Sequence, residues 1–173
     1  MNPSQAARSL AQTVMGRLAT QACCRVALCG GPVLPPLLGE LSALPAFHRI
    51  DWPHVHLFAT DERWDEAAMG LLLLLPMPRA NLVRPRGAGM GRLDAARDYE
   101  QSLRAHFSLS CGAVPAFDLL LQEAAPPTAG TAWLPHGPAA DEVGRLVLAH
   151  PHGGLTLAPA VLAAARLRLD VVA

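Results

Sequence analysis

The 173-residue chain balances fourteen basic against fourteen acidic side chains. Its formal net charge of zero leaves no broad positive field for a nucleic-acid backbone or an anionic membrane surface, so neither is expected as a partner. With 51% hydrophobic and 16% charged residues it is rich in apolar side chains, and at this length a single domain over 1–173 buries roughly 70% of its unfolded surface, the apolar surplus favouring a homo-oligomer, by default a dimer.

From Ser4 to Gln21 the residues Ala7, Leu10, Ala11, Val14, Met15 and Leu18 recur at helical spacing, which predicts an amphipathic helix with Ser4 as its N-cap. Arg8 and Arg17 interrupt this segment, which lacks the apolar stretch and small-residue cleavage site of a signal peptide. Arg25 to Cys29 reads as a buried strand running into the Gly30-Gly31 turn, followed by a helix from Pro35 to Leu44. Val55 to Ala59 is the next strand. A helix from Glu66 to Leu75 is closed by Pro76 and Pro78, and Asn81 to Val83 forms a short strand. The aliphatic run Leu71 to Leu75 falls far below the ~20 residues of a membrane span, so a cytoplasmic protein is expected, with that run buried or facing a partner.

Arg92 to Phe107 carries Leu93, Ala96, Tyr99, Leu103 and Phe107 at helical intervals, and Phe117 to Gln122 is again strand-like. Prolines 126, 127, 135 and 138 make 123–138 a long loop. Strands follow at Arg145 to Ala149, Leu155 to Leu157 and Leu167 to Val172, with a helix from Pro159 to Arg166. The alternation predicts an α/β fold with a parallel sheet covered by helices on both faces.

Asp61, Glu62 and Arg63 follow directly on the second strand, at the sheet end where open α/β folds bind ligands. A solvated polar turn is the plain alternative. His54 with His56, and His150 with His152, share strand faces, but the spacing lacks a third ligand, so no metal is expected. Cys23, Cys24, Cys29 and Cys111 form no repeated Cys-x-x-Cys unit and read as buried thiols. Cys29 at the mouth of the turn has a second reading as a nucleophile. Trp52 and Trp64 either close over a sugar or anchor the core.

RVALCGG at Arg25 to Gly31, IDWPHVHLFATDERW at Ile50 to Trp64, FDLLLQ at Phe117 to Gln122 and LTLAPAVLAAARLRLDVV at Leu155 to Val172 occur in one order along the chain. Together they resemble the 6-phosphogluconolactonases and their relatives, the glucosamine-6-phosphate isomerases. The resemblance implies a single Rossmann-like α/β domain and hydrolysis of 6-phosphogluconolactone in the pentose phosphate pathway, without metal or cofactor. It also implies contacts to a sugar phosphate, 6-phosphogluconolactone or 6-phosphogluconate, at Gly30, Gly31, Asp61, Glu62 and Arg63.

The chain departs from the family pattern at its chemistry. The family's general base is the histidine of a Gly-x-Gly-x-Asp-Gly-His loop. Registering Phe117-Asp118 and Pro135 without a gap puts Glu123, Ala125, Pro127, Thr128 and Ala129 at its Gly, Gly, Asp, Gly and His positions. A methyl group at Ala129 cannot take a proton from water. His136 is the replacement base a rearranged loop would deliver, but loop histidines are mostly solvated and nothing in the sequence supplies the compensating geometry. Pro32-Val33-Leu34 replaces the family's Ser-Thr-Pro, no Ser-Asn pair follows Arg63-Trp64, and the family pattern runs on past Ala173 with a basic residue near the phosphate. The resemblance thus implies a lactonase-like protein whose hydrolysis is impaired or lost. The alternative is a non-catalytic relative that binds a sugar phosphate or a protein.

Overall fold

Five strands form one parallel sheet in the order β3-β2-β1-β4-β7. They are β1 (Cys24–Leu28), β2 (Val55–Ala59), β3 (Leu82–Val83), β4 (Leu119–Glu123) and β7 (Arg168–Val171). The computed structural model describes residues 1–86, 91–124, 145–149 and 155–172. Val26 and Leu28, Leu57 and Ala59, and Leu119 and Leu121 point into one core, while Ala27, Phe58 and Leu120 point into the other. Strands apolar on both faces belong in a sheet covered on both sides.

The first core is closed by α1 (Pro3–Leu18), α2 (Leu34–Ala43) and α3 (Glu66–Leu72), the second by α4 (Arg92–Phe107) and α5 (Pro159–Ala163). In α1, Ala6, Ala7, Leu10, Ala11 and Val14 form the buried stripe. Its N-cap is Asn2, not the expected Ser4: the Asn2 carboxamide accepts from Gln5 N at 2.9 Å, and the Gln5 side chain accepts from Asn2 N at 3.2 Å. That reciprocal pair, with Pro3 next to the cap, starts the helix before Ser4 can. Helix α3 stops at Leu72, short of the expected Leu75, because Pro76 disfavours helical backbone at the residue before it. The aliphatic run therefore splits: Leu72 and Leu75 are buried, whereas Leu73 and Leu74 are exposed.

Two strands expected in the sequence lie outside the main sheet. β5 (Val147–Ala149) and β6 (Leu155–Leu157) pair antiparallel with each other. The pair is fastened to the exit of β2 by Leu157 N donating to Thr60 O at 2.8 Å and by an antiparallel bridge between Asp61 and Thr156. Leu146 N donates to Glu100 on α4 at 3.1 Å, and the buried Tyr99 hydroxyl of α4 donates to Ala59 O.

At the opposite end of the strands the buried Asp118 accepts from Arg25 N at 2.9 Å and from Gln21 at 3.4 Å, and pairs with Arg166 at 3.5 Å. His54 falls in a 3-10 turn (Trp52–His54) and not on the strand, with Nδ1 2.9 Å from Asp51 Oδ2. His56 packs on the His106 ring of α4, with centroids 5.9 Å apart. The shared face expected of His54 and His56 is thereby absent; Pro53 lacks the N–H that a longer strand would use. His150 and His152 lie outside the described residues. Trp52 and Trp64 are core anchors, their indole N–H groups donating to Phe47 O and Leu28 O. No helix among the described residues is long and apolar enough to cross a membrane.

Candidate functional site

In this strand order the connections out of β1 and β4 run to opposite sides, which makes their carboxyl ends the topological switch point where such sheets bind ligands. Gly30 and Gly31 leave β1 there, and Glu123 ends β4. Gly31 has φ +85°, a conformation that side chains rarely adopt. A Cβ on Gly30 would lie 2.3 Å from the Arg63 carbonyl carbon, so only glycine allows the two segments to touch. Gly31 N donates to Arg63 O at 2.9 Å and completes the contact.

Asp61 is the hub. Its Oδ1 accepts from Gly30 N at 3.1 Å and Arg63 N at 2.9 Å, and its Oδ2 accepts from Arg63 Nη2 at 3.0 Å and Nε at 3.3 Å. The side chain is only 11% exposed. Arg63 then reaches across the switch point, with Nη1 donating to Glu123 Oε2 at 3.1 Å. Burial alone would lower the guanidinium pKa, but the bonds to Asp61 and Glu123 outweigh it and raise the pKa further, so Arg63 is permanently charged.

Asp61, Glu62, Arg63, Gly30 and Gly31 are thus brought together, with Glu62 exposed beside the others. Cys29 lies beneath them, and burial, aided by the Asp61 charge, pushes its thiol up to about 12. That removes the nucleophile reading, since a neutral thiol does not attack. Of the four thiols expected to be buried, Cys24 and Cys29 are, Cys23 is half-buried and Cys111 is exposed in the turn after α4. Ala125, Pro127, Thr128, Ala129 and His136 lie outside the described residues.

A cleft of about 240 Å³ opens beside Asp61, lined by Glu62, Trp64, Arg84, Arg92 and Leu155. Arg84 follows β3 directly, and Arg92 opens α4. Neither arginine stands in a motif, and Glu123, aligned with a glycine of the family loop, carries no sequence sign of being the partner of Arg63. The only sequence signal was position: Arg84 and Glu123 stand at the carboxyl ends of strands.

A family model described as glucosamine-6-phosphate isomerases/6-phosphogluconolactonase matches residues 3–169. No curated protein matches the chain in sequence. Among solved structures, a devB protein is 22% identical with a TM-score of 0.76, over 99% of this chain and 78% of that one. The 6-phosphogluconolactonase of Thermotoga maritima is 19% identical with a TM-score of 0.73, over 97% and 78% of the two chains. That of Trypanosoma brucei is 16% identical with a TM-score of 0.73, over 99% and 79%. At these identities the structures speak for the fold, and it is the match along nearly the whole sequence that places this chain in the glucosamine-6-phosphate isomerase/6-phosphogluconolactonase family.

Proposed function

We propose that the chain is a cytoplasmic, single-domain 6-phosphogluconolactonase-like protein that binds a sugar phosphate of the pentose phosphate pathway and has impaired or lost lactone hydrolysis. Gly30, Gly31, Asp61, Glu62 and Arg63 make up the binding site. The observation that carries this reading is the Asp61 carboxylate, which locks the glycine turn to Arg63 at the switch point beside an open cleft. Such a preformed concave site with few convergent polar groups is what small ligands select. The loss of hydrolysis rests on Ala129 standing at the position of the family's catalytic histidine.

Two measurements test it. Pure protein is expected to raise its melting temperature with millimolar 6-phosphogluconate, as any ligand of the native state does, while leaving the spontaneous opening of fresh 6-phosphogluconolactone unaccelerated. Catalysed opening would refute the loss of activity and bring His136 forward as the base. No thermal shift would refute the binding.

The exposed Leu73 and Leu74 favour a second reading, a protein-interaction role that includes a homo-oligomer. Sedimentation as a monomer at micromolar concentration would set it aside.

A further inference from the structure

Three side chains that carry or can take a positive charge meet on the α4 side of the sheet, away from the Asp61 hub. Arg25 and His56 are partners in the β1-β2 register and stand side by side on one face. His106, in the last turn of α4, lies against His56 with ring centroids 5.9 Å apart and planes at 76°. The Arg25 guanidinium carbon sits 4.9 Å from the ring centroid of the adjacent Phe107. The Ser102 carbonyl, 3.2 Å from His106 Nδ1, accepts the proton of that nitrogen and leaves Nε2 to take a second.

No carboxylate balances this group. Asp118 accepts from the Arg25 amide and not from its guanidinium, and faces Arg17 and Arg166. Glu100, further up α4, is taken by Arg104 at 2.9 Å, and Asp51 by His54 at 2.9 Å. On the β3 side stands the uncharged Asn81, bonded to the Pro53 and Val55 carbonyls. Among the described residues no ion pair includes Arg25, His56 or His106. Burial first, then His106, Arg25 and His54, holds the His56 pKa below the ordinary 6.5. The packed arrangement thus requires a neutral His56, and a proton there favours a state in which the rings have parted into water.

The fold sets what parts most easily. Helix α4 ends at Phe107, one residue beyond His106, with Ser108 left-handed at φ +50°. Upstream it is fastened by the buried Leu103, by the Tyr99 hydroxyl on Ala59 O and by Glu100 on Leu146 N. Helix ends open at less cost than their packed interiors. Phe107 covers Phe58 and Phe117, with centroids 5.3 and 5.2 Å away, and both of those rings are wholly buried.

We infer that Arg25, His56 and His106 form an acid-released latch: the last turn of α4 is held on the sheet while His56 is neutral and is freed when His56 takes a proton. Release uncovers the Phe58 and Phe117 rings, while Tyr99 and Glu100 keep the rest of the helix in place.

Amide hydrogen exchange of the whole protein, followed residue by residue by NMR at pH 7.5 and 5.5 and corrected for the intrinsic rate at each pH, tests the latch. Protection of 103–107 is expected to fall roughly tenfold between the two, since each pH unit below 6.5 is a tenfold change in the bias toward a protonated ring. Protection of 95–99 and of β1 is expected to hold. H56Q, neutral at both values, is expected to abolish the pH dependence of 103–107. R25M, which keeps an apolar stem on Phe107 without the charge, is expected to weaken it. The ratio between the two pH values is read within each variant, so one that frays at neutral pH still reports, and melting curves at pH 7.5 check folding. An unchanged ratio in H56Q, a loss of protection spread evenly over the chain, or no loss at pH 5.5 would each overturn the inference.

Discussion

Arg63 and Glu123, 60 positions apart in the chain, meet in a 3.1 Å ion pair that ties the exit of β2 to the end of β4 across the end of β1. Both side chains are partly solvated, and such pairs contribute about 0–1 kcal/mol. Glu123→Ala is therefore expected to shift the urea midpoint only slightly. Asp61→Ala removes the acceptor shared by the Gly30 and Arg63 amides, and leaving the buried Gly30 donor unmade costs roughly 1–3 kcal/mol. The two variants should separate clearly in urea denaturation.

Gly30→Ala is expected to be among the most damaging single-methyl changes in the chain. The new carbon would overlap the Arg63 backbone, which cannot swing aside as a side chain would. A loss at or above the ~1–3 kcal/mol of core overpacking is expected. Gly39→Ala, where nothing lies within 4 Å of the added carbon, should be neutral or stabilising. Paired thermal melts read the contrast.

Asp118→Ala should destabilise without touching the site. The carboxylate is buried, accepts from the Arg25 amide and faces Arg17 at 4.0 Å and Arg166 at 3.5 Å. Hydrogen bonds to a charged group are worth about 1.5–3 kcal/mol. A loss in that range is expected, against under ~1 kcal/mol for Arg166→Ala at the half-exposed partner.

His56 supplies a pH dependence. Burial first, then the nearby His106, Arg25 and His54, lowers its pKa below the ordinary 6.5. The unfolded chain then binds a proton more readily than the folded one. The stability contributed by a neutral His56 is fully present above pH 6.5 and is lost as pH falls from there toward the lowered folded value. Denaturation midpoints measured between pH 7.5 and 5.5 should fall, and His56→Gln should flatten the slope.

Thiol labelling should follow burial. Cys111 is exposed, whereas the Cys24 and Cys29 thiols are each pushed up to about 12 by burial. Native protein is expected to react quickly with iodoacetamide at Cys111 and to expose Cys24 and Cys29 only on unfolding, as peptide mass mapping would show.

The strands were legible because apolar runs bounded by Gly and Pro admit few other structures. Val55–Ala59 and the helix Arg92–Phe107 match the expected boundaries. The antiparallel pairing of β5 and β6 was not legible, since a three-residue apolar strand reads the same in either orientation. At the site, Asp61 and Arg63 were found from their place after a strand. Glu123 was not, because its partner is set by which strands the fold makes neighbours and not by any local spacing. Likewise Asn2 was overlooked as the cap, since the gain from its reciprocal bond with Gln5 depends on side-chain geometry that letters do not carry.

The convergence of Gly30, Arg63 and the β2 exit on the one carboxylate of Asp61 bears on how the chain can evolve. Substitutions within that knot are strongly coupled, so a change at one member is tolerated only with compensation at the others. Arg84, which makes no bond to the knot, can be exchanged alone. The cleft rim can therefore change one residue at a time while the scaffold beneath it stays locked.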